Sequence, residues 1–144
     1  MHLADYLARD DIHLDLPGRD ASEVLTELAS RLHLDQESEA VVRRILQHRE
    51  TMGSTGIGRG IAVPHCRTPI VKRLRVIYGR RVGGIPFGAV DGASVEHFFV
   101  LIAPPVEASN EYLPVLGRIA RLAKEPDLPT RLTSRLAALI RTWR

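Results

Sequence analysis

The chain has 144 residues, 44% hydrophobic and 26% charged, with a formal net charge of +3. That length suits one α/β-sized domain, read as residues 1–144, which can bury enough surface to fold without cross-links. A single cysteine excludes an internal disulfide framework and a multi-cysteine metal centre, and 5% aromatic residues are too few for a single-strand nucleic-acid reader. No run approaches the roughly 18 apolar residues of a membrane span. The first residues lack the basic flank and apolar core of a signal peptide, so a reducing, cytoplasmic setting is expected. The arginines gather at Lys72–Arg81 and Arg131–Arg144, as solvated faces or as a docking surface for an acidic protein.

In chain order, Leu3–Leu7 suits one helical turn. Ile12, Leu14 and Leu16 alternate with His13 and Asp15, a half-buried strand ended by Pro17-Gly18. Asp20 with Glu23 is a capping pair, and the spacing predicts a helix over 21–33. A second helix is expected from Gln36 to Thr51, with Val41, Val42, Ile45 and Leu46 as its stripe and Gly53 as its stop. Gly53–Gly60 reads as a loop, Ile61–Val63 as a strand halted by Pro64-His65, and Leu74–Gly79 as another, with Gly83-Gly84 and Pro86 breaking the chain. Val90-Asp91-Gly92 is a turn, and Val95–Ala103 an apolar strand. A third helix is expected over 110–124, with Pro114 in its first turn and Leu113, Leu116, Ile119, Ala120 and Leu122 inward. Asp127 would cap a last helix with Leu132, Leu136, Leu139 and Ile140 as its stripe. Helices before, between and after strands favour an α/β sandwich with a mixed sheet.

Arg49 to His65 is the stretch with chemistry in it. Gly53, Gly56, Gly58 and Gly60 let backbone amides approach an anion, Ser54 and Thr55 add hydroxyl donors, and Arg49 offers a planar cation. His65 emerges behind a proline that holds it in one direction. These are the parts of a phosphoryl site: a nitrogen nucleophile with donors around it. Gly56, Gly58 and Gly60 do not fit the dinucleotide fingerprint, and no Gly-Lys-Ser or Gly-Lys-Thr follows as in a nucleotide loop. The same residues also suit a glycine-rich hairpin connection with a buried histidine.

Other candidates are weaker. The six histidines show no metal-ligand spacing, so no metal is expected. Cys66 reads as packing, Asp91 as a turn residue, and His2, His13, His33, His48 and His97 as surface or half-buried side chains.

The run Arg49-Glu50-Thr51-Met52-Gly53-Ser54-Thr55-Gly56-Ile57-Gly58-Arg59-Gly60-Ile61-Ala62-Val63-Pro64-His65 closely resembles the signature of enzyme IIA proteins of the phosphoenolpyruvate-dependent phosphotransferase system. The fructose/mannitol/nitrogen-regulatory class fits, and its nitrogen-regulatory branch fits best. The resemblance continues through Ile85–Gly92, the strand to Pro104 and the helix Leu113–Leu122, and spans about Leu3 to Ile140. It implies an α/β sandwich with a mixed, mostly parallel sheet, and a phosphoryl carrier needing no cofactor. His65 would accept the group from a phosphocarrier protein, with Arg49 steadying it. Onward partners would be an enzyme IIB cysteine in sugar transport, or a regulated transporter or kinase in the nitrogen branch.

One position departs from the family. A second active-site histidine usually opens the third helix in a His-Leu-x-x-Leu run, which here reads Tyr112-Leu113-Pro114-Val115-Leu116. Tyrosine offers one neutral hydrogen bond and no positive charge at neutral pH. Three functions follow: a regulatory phosphohistidine carrier, a sugar-transport enzyme IIA, or a binding module that has lost onward transfer.

Overall fold

The computed structural model describes residues 6–7, 9–106 and 111–125. The expected helix after Asp127, and all but the end of the expected turn at Leu3–Leu7, lie outside them.

Helix α1 (Ala21–Ser30) starts where Asp20 accepts a hydrogen bond from the Glu23 amide at 2.9 Å. Glu23 closes the cap by accepting from the Arg19 amide at 2.8 Å, one residue earlier than in a standard capping box. The helix stops short of the expected position 33, and His33 has a left-handed φ of 56° that a helix cannot contain. Helix α2 (Gln36–Thr51) spans the expected range, capped by Asp35, which accepts from the Ser38 amide at 2.8 Å.

Six strands form one mixed sheet among the described residues: β1 (Ile12–His13), β2 (Gly56–Gly58), β3 (Ile61–Ala62), β4 (His65–Arg67), β5 (Arg75–Ile85) and β6 (Val95–Ala103). The order is β1-β5-β6-β3-β2, with β4 also pairing β6. The β1–β5, β3–β6 and β4–β6 ladders are parallel, whereas β2–β3 and the long β5–β6 ladder are antiparallel. The last helix described is α3 (Tyr112–Ala123).

From Phe98 to Ala103, β6 is buried on both faces and reads as an unbroken apolar run. Phe98, Val100 and Ile102 face one way, with Ile77 of β5, onto Val24, Leu25 and Leu28 of α1 and Val42 and Leu46 of α2. Phe99 and Leu101 face the other way, with Val76 and Tyr78, onto Tyr112, Val115 and Ile119 of α3. The result is a helix–sheet–helix sandwich, as expected.

Three local expectations need correction. The chain does not break at Gly83-Gly84: β5 runs on to Ile85, and both glycines, at φ of 85° and 74°, sit in a bulge between Arg80 and Ile85. The strand at Ile61 does not end the pairing at Pro64-His65. The Pro64 carbonyl accepts from the Leu101 amide at 3.0 Å, and β4 resumes along β6. Helix α3 is rotated from its expected phase: Leu113 is 68% exposed, Ala120 is half-buried, and Tyr112, Val115, Ile119 and Ala123 form the buried stripe. Among the described residues no helix is long and apolar enough to cross a membrane.

Candidate functional site

The glycine segment folds as a tight hairpin. Gly58 pairs with Ile61, so Arg59 and Gly60 form a two-residue loop with φ of 57° and 78°. Positive φ at both positions suits the twist of a hairpin, and glycine adopts it without strain. The Asp91 carboxylate secures the tip by accepting from the Arg59 amide at 2.9 Å and the Ala93 amide at 3.0 Å. These amides, Arg59's first, hold the Asp91 carboxyl below its usual range. Gly56 meets a separate demand, because a Cβ there would lie 2.8 Å from the Ala89 Cβ.

The two hydroxyls expected to face an anion are used inside the fold. Thr55 is buried and gives both its amide and its hydroxyl to the Glu50 carboxylate, at 2.9 and 2.8 Å. Ser54 donates its hydroxyl to the Phe87 carbonyl at 2.6 Å and accepts from the Gly56 amide at 2.9 Å. The hairpin fixes the chain that leads to β4. Of the expected phosphate cradle of Gly53, Ser54, Thr55, Gly56, Gly58 and Gly60, the two hydroxyls thus face Phe87 and Glu50.

His65 opens β4, whose other edge pairs with no described strand. Its Nδ1 donates to the Val63 carbonyl at 2.7 Å. A carbonyl only accepts, so Nδ1 carries the ring proton and neutral His65 presents its lone pair on Nε2. Strand alternation sends Cys66 into the core under α1 and α2 and leaves His65 and Arg67 together on the opposite side.

A groove of about 540 Å³ runs between α2, β4 and the first turn of α3. Arg44, His48, Arg49, His65 and Arg67 give its polar rim, and Val41, Ile45, Met52, Tyr112 and the largely buried Cys66 its apolar surface. The structure thus brings His65, Arg49 and Tyr112 together as expected, while none of the loop residues from Gly53 to Gly60 lines the groove. Arg49 Nη1 donates to the Gly53 carbonyl at 2.7 Å, which ties the guanidinium to the helix end. The Tyr112 ring lies 5.9 Å from the His65 ring, centroid to centroid, tilted by 52°. Burial pushes the Tyr112 hydroxyl up to about 12, so it remains a neutral group. Burial likewise pushes the Cys66 thiol up to about 12, which suits packing and not nucleophilic attack.

Sequence reasoning missed Arg44, His48, Arg67 and the Glu50 clamp. The first two were legible as a second stripe on α2: Val41, Arg44, Ile45, His48 and Met52 recur at helical spacing beside the core stripe of Val42 and Leu46. Arg67 needed β4, because only a strand puts it on the side of His65. His97, expected as a surface or half-buried side chain, is fully buried and shares a hydrogen bond of 2.5 Å with the Tyr78 hydroxyl. A larger hollow of about 710 Å³ lies away from these residues. It gathers Asp11 and Glu111 with Arg73 and Arg75, whose charges offset one another.

Residues 5–137 match the family described as "Phosphoenolpyruvate-dependent sugar phosphotransferase system, EIIA 2". The chain is 32% identical over 133 residues to a nitrogen regulatory protein of Bradyrhizobium diazoefficiens, covering 92% of this chain and 86% of that one. It is 34% identical over 128 residues to a nitrogen regulatory protein of Pseudomonas aeruginosa, covering 84% and 79%. The crystal structure of nitrogen regulatory protein IIA-Ntr from Neisseria meningitidis superposes with a TM-score of 0.82 at 30% identity, over 92% of this chain and 90% of that one. IIA mannitol from Escherichia coli shares the fold at a TM-score of 0.72 and 19% identity, over 94% and 96%.

Proposed function

The chain belongs to the EIIA 2 family of the phosphoenolpyruvate-dependent sugar phosphotransferase system, and on that premise we propose that it is a phosphohistidine carrier of the nitrogen-regulatory kind. His65 takes a phosphoryl group from a phosphocarrier protein in the cytoplasm, and residues 1–144 work as one domain of this type. The observation that carries the reading is the Nδ1 hydrogen bond to the Val63 carbonyl, which leaves Nε2 as the nucleophile in the groove.

In the transfer, the Nε2 lone pair forms the new N–P bond as the donor's N–P bond breaks. The leaving electron pair stays on the donor's nitrogen. The Val63 carbonyl keeps the Nδ1 proton in place and supports the positive charge that grows on the ring. Arg49 offsets the charge on the phosphoryl oxygens, and catalysis is positioning plus electrostatics, with no cofactor required. The glycine segment acts by setting the direction of Val63, Pro64 and His65.

The nitrogen-regulatory reading draws support from relatives of similar length that carry that name. Its output would be control of a transporter or kinase. Passage of the group to an enzyme IIB cysteine is the alternative output, because fructose-specific relatives also match, one from Haloferax volcanii at 29% identity.

Incubation with phosphoenolpyruvate, enzyme I and phosphocarrier protein, followed by intact mass, tests the reading. The expected result is one acid-labile, base-stable phosphoryl group on the parent and none on His65→Ala. Labelling of His65→Ala overturns the assignment.

A further inference from the structure

Resting on that carrier reading, we propose that Arg67 is a second phosphoryl-binding cation, held in place by the ring of Tyr112, and that the pair does the work of the histidine absent from the start of α3. Arg67 shares its side of β4 with His65 and lines the same groove. Its guanidinium carbon lies 4.3 Å from the Tyr112 ring centroid, within cation–π range. Nη1 donates to the Pro104 carbonyl at 2.9 Å. Among the described residues, Nε and Nη2 have no protein partner in hydrogen-bond reach, so donors of a planar, permanently charged group remain for an anion.

Tyr112 is a firm platform. It is 8% exposed and sits in one core cluster with Val115, Ile119 and Leu101. A ring so packed fixes the plane of the guanidinium above it, which reduces the ordering cost of a charge-assisted bond to a phosphoryl oxygen. Tyr112 itself brings no charge. A histidine at its position would act on the phosphoryl group directly, whereas tyrosine acts through Arg67. Arg67 takes no part in bond making; it binds the oxygens while the N–P bond passes from donor to Nε2.

The test begins with phosphoramidate, a small phosphoryl donor that labels histidine without any protein partner. In ¹⁵N-labelled protein, the Arg67 Nε–H resonance, assigned by its loss in Arg67→Lys, is expected to shift when His65 is phosphorylated. Tyr112→Leu should abolish that shift, and Tyr112→Phe, which keeps the ring, should restore it. With the full donor mixture, Arg67→Gln should lower the equilibrium ratio of phosphorylated to free protein roughly tenfold against a fixed phosphocarrier pool. A resonance that does not move in phosphorylated parent protein overturns the proposal even where Arg67→Gln fails to fold, and so does an unchanged ratio in a folded Arg67→Gln. Labelling by phosphoramidate but not by the donor mixture sinks the carrier reading alone. A parent that phosphoramidate leaves unlabelled at His65 sinks both.

Discussion

The Glu50 carboxylate, at the end of α2, accepts both hydrogen bonds that Thr55 can donate, from its amide at 2.9 Å and from its hydroxyl at 2.8 Å. This clamp joins the helix that carries Arg49 to the hairpin that leads to His65. Thr55 is 5% exposed, so loss of the acceptor leaves buried donors that water cannot reach. Glu50→Ala is expected to lower unfolding free energy by about 2–3 kcal/mol. Glu50→Gln, which keeps one acceptor oxygen, should lose less. Urea denaturation checks both, and an undiminished midpoint in Glu50→Ala argues against the clamp.

Arg49 is expected to matter for transfer and little for stability. Its one described bond goes to the carbonyl of Gly53, which is exposed and can turn to water. Arg49→Ala should therefore melt within about 1 kcal/mol of the parent, while phosphorylation by the donor mixture slows about tenfold or more. Normal transfer with a large loss of stability is the opposite result and removes Arg49 from the site.

The buried His97 makes stability depend on pH. Burial, with Arg80 adding to it, pushes its imidazole down to about 4 from an ordinary 6.5. Between those values the unfolded chain binds a proton that the folded chain refuses. The contribution is complete above about pH 6.5 and is lost as pH falls toward 4, on the order of 3 kcal/mol in all. His13, lowered by its own burial and then by Arg31, has the same sign. His97→Gln, which keeps an acceptor for Tyr78, should flatten the curve in this window when stability is measured at a series of pH values. An equally steep curve assigns the acid sensitivity to other groups.

Cys66 should be inert in the native protein. With its thiol pushed up to about 12 by burial, almost none is thiolate at pH 8. Alkylation by iodoacetamide, followed by mass, is expected to be slow when folded and fast in denaturant. Rapid native alkylation would show an open path to the sulfur.

Much of the architecture was already legible along the chain. Asp20 announced α1 because capping is a contact between residues three apart, and the apolar spacing from Val41 to Leu46 announced α2. Val95–Ala103 announced β6 because its run from Phe98 to Ala103, covered on both faces, has no polar side. Arg49, Pro64 and His65 stood out because few folds require that order of residue types. What lay beyond reach depended on partners distant in sequence. Ser54 and Thr55 look the same whether their hydroxyls face an anion or, as here, Phe87 and Glu50. The phase of α3 follows from how Tyr112 seats against Leu101 and Val63, and not from its own periodicity, which suits Leu113 equally well.

By itself, then, the sequence determined the cap of α1, the central strand and the order of Arg49, the glycines and His65, because each is written in a pattern spanning a few residues. Tertiary structure decided what surrounds His65. The β4–β6 ladder turned Cys66 inward and Arg67 outward, and the seating of α3 slid the Tyr112 ring beneath that guanidinium. A ladder register joins residues far apart in the chain, and no local pattern specifies which two edges will meet.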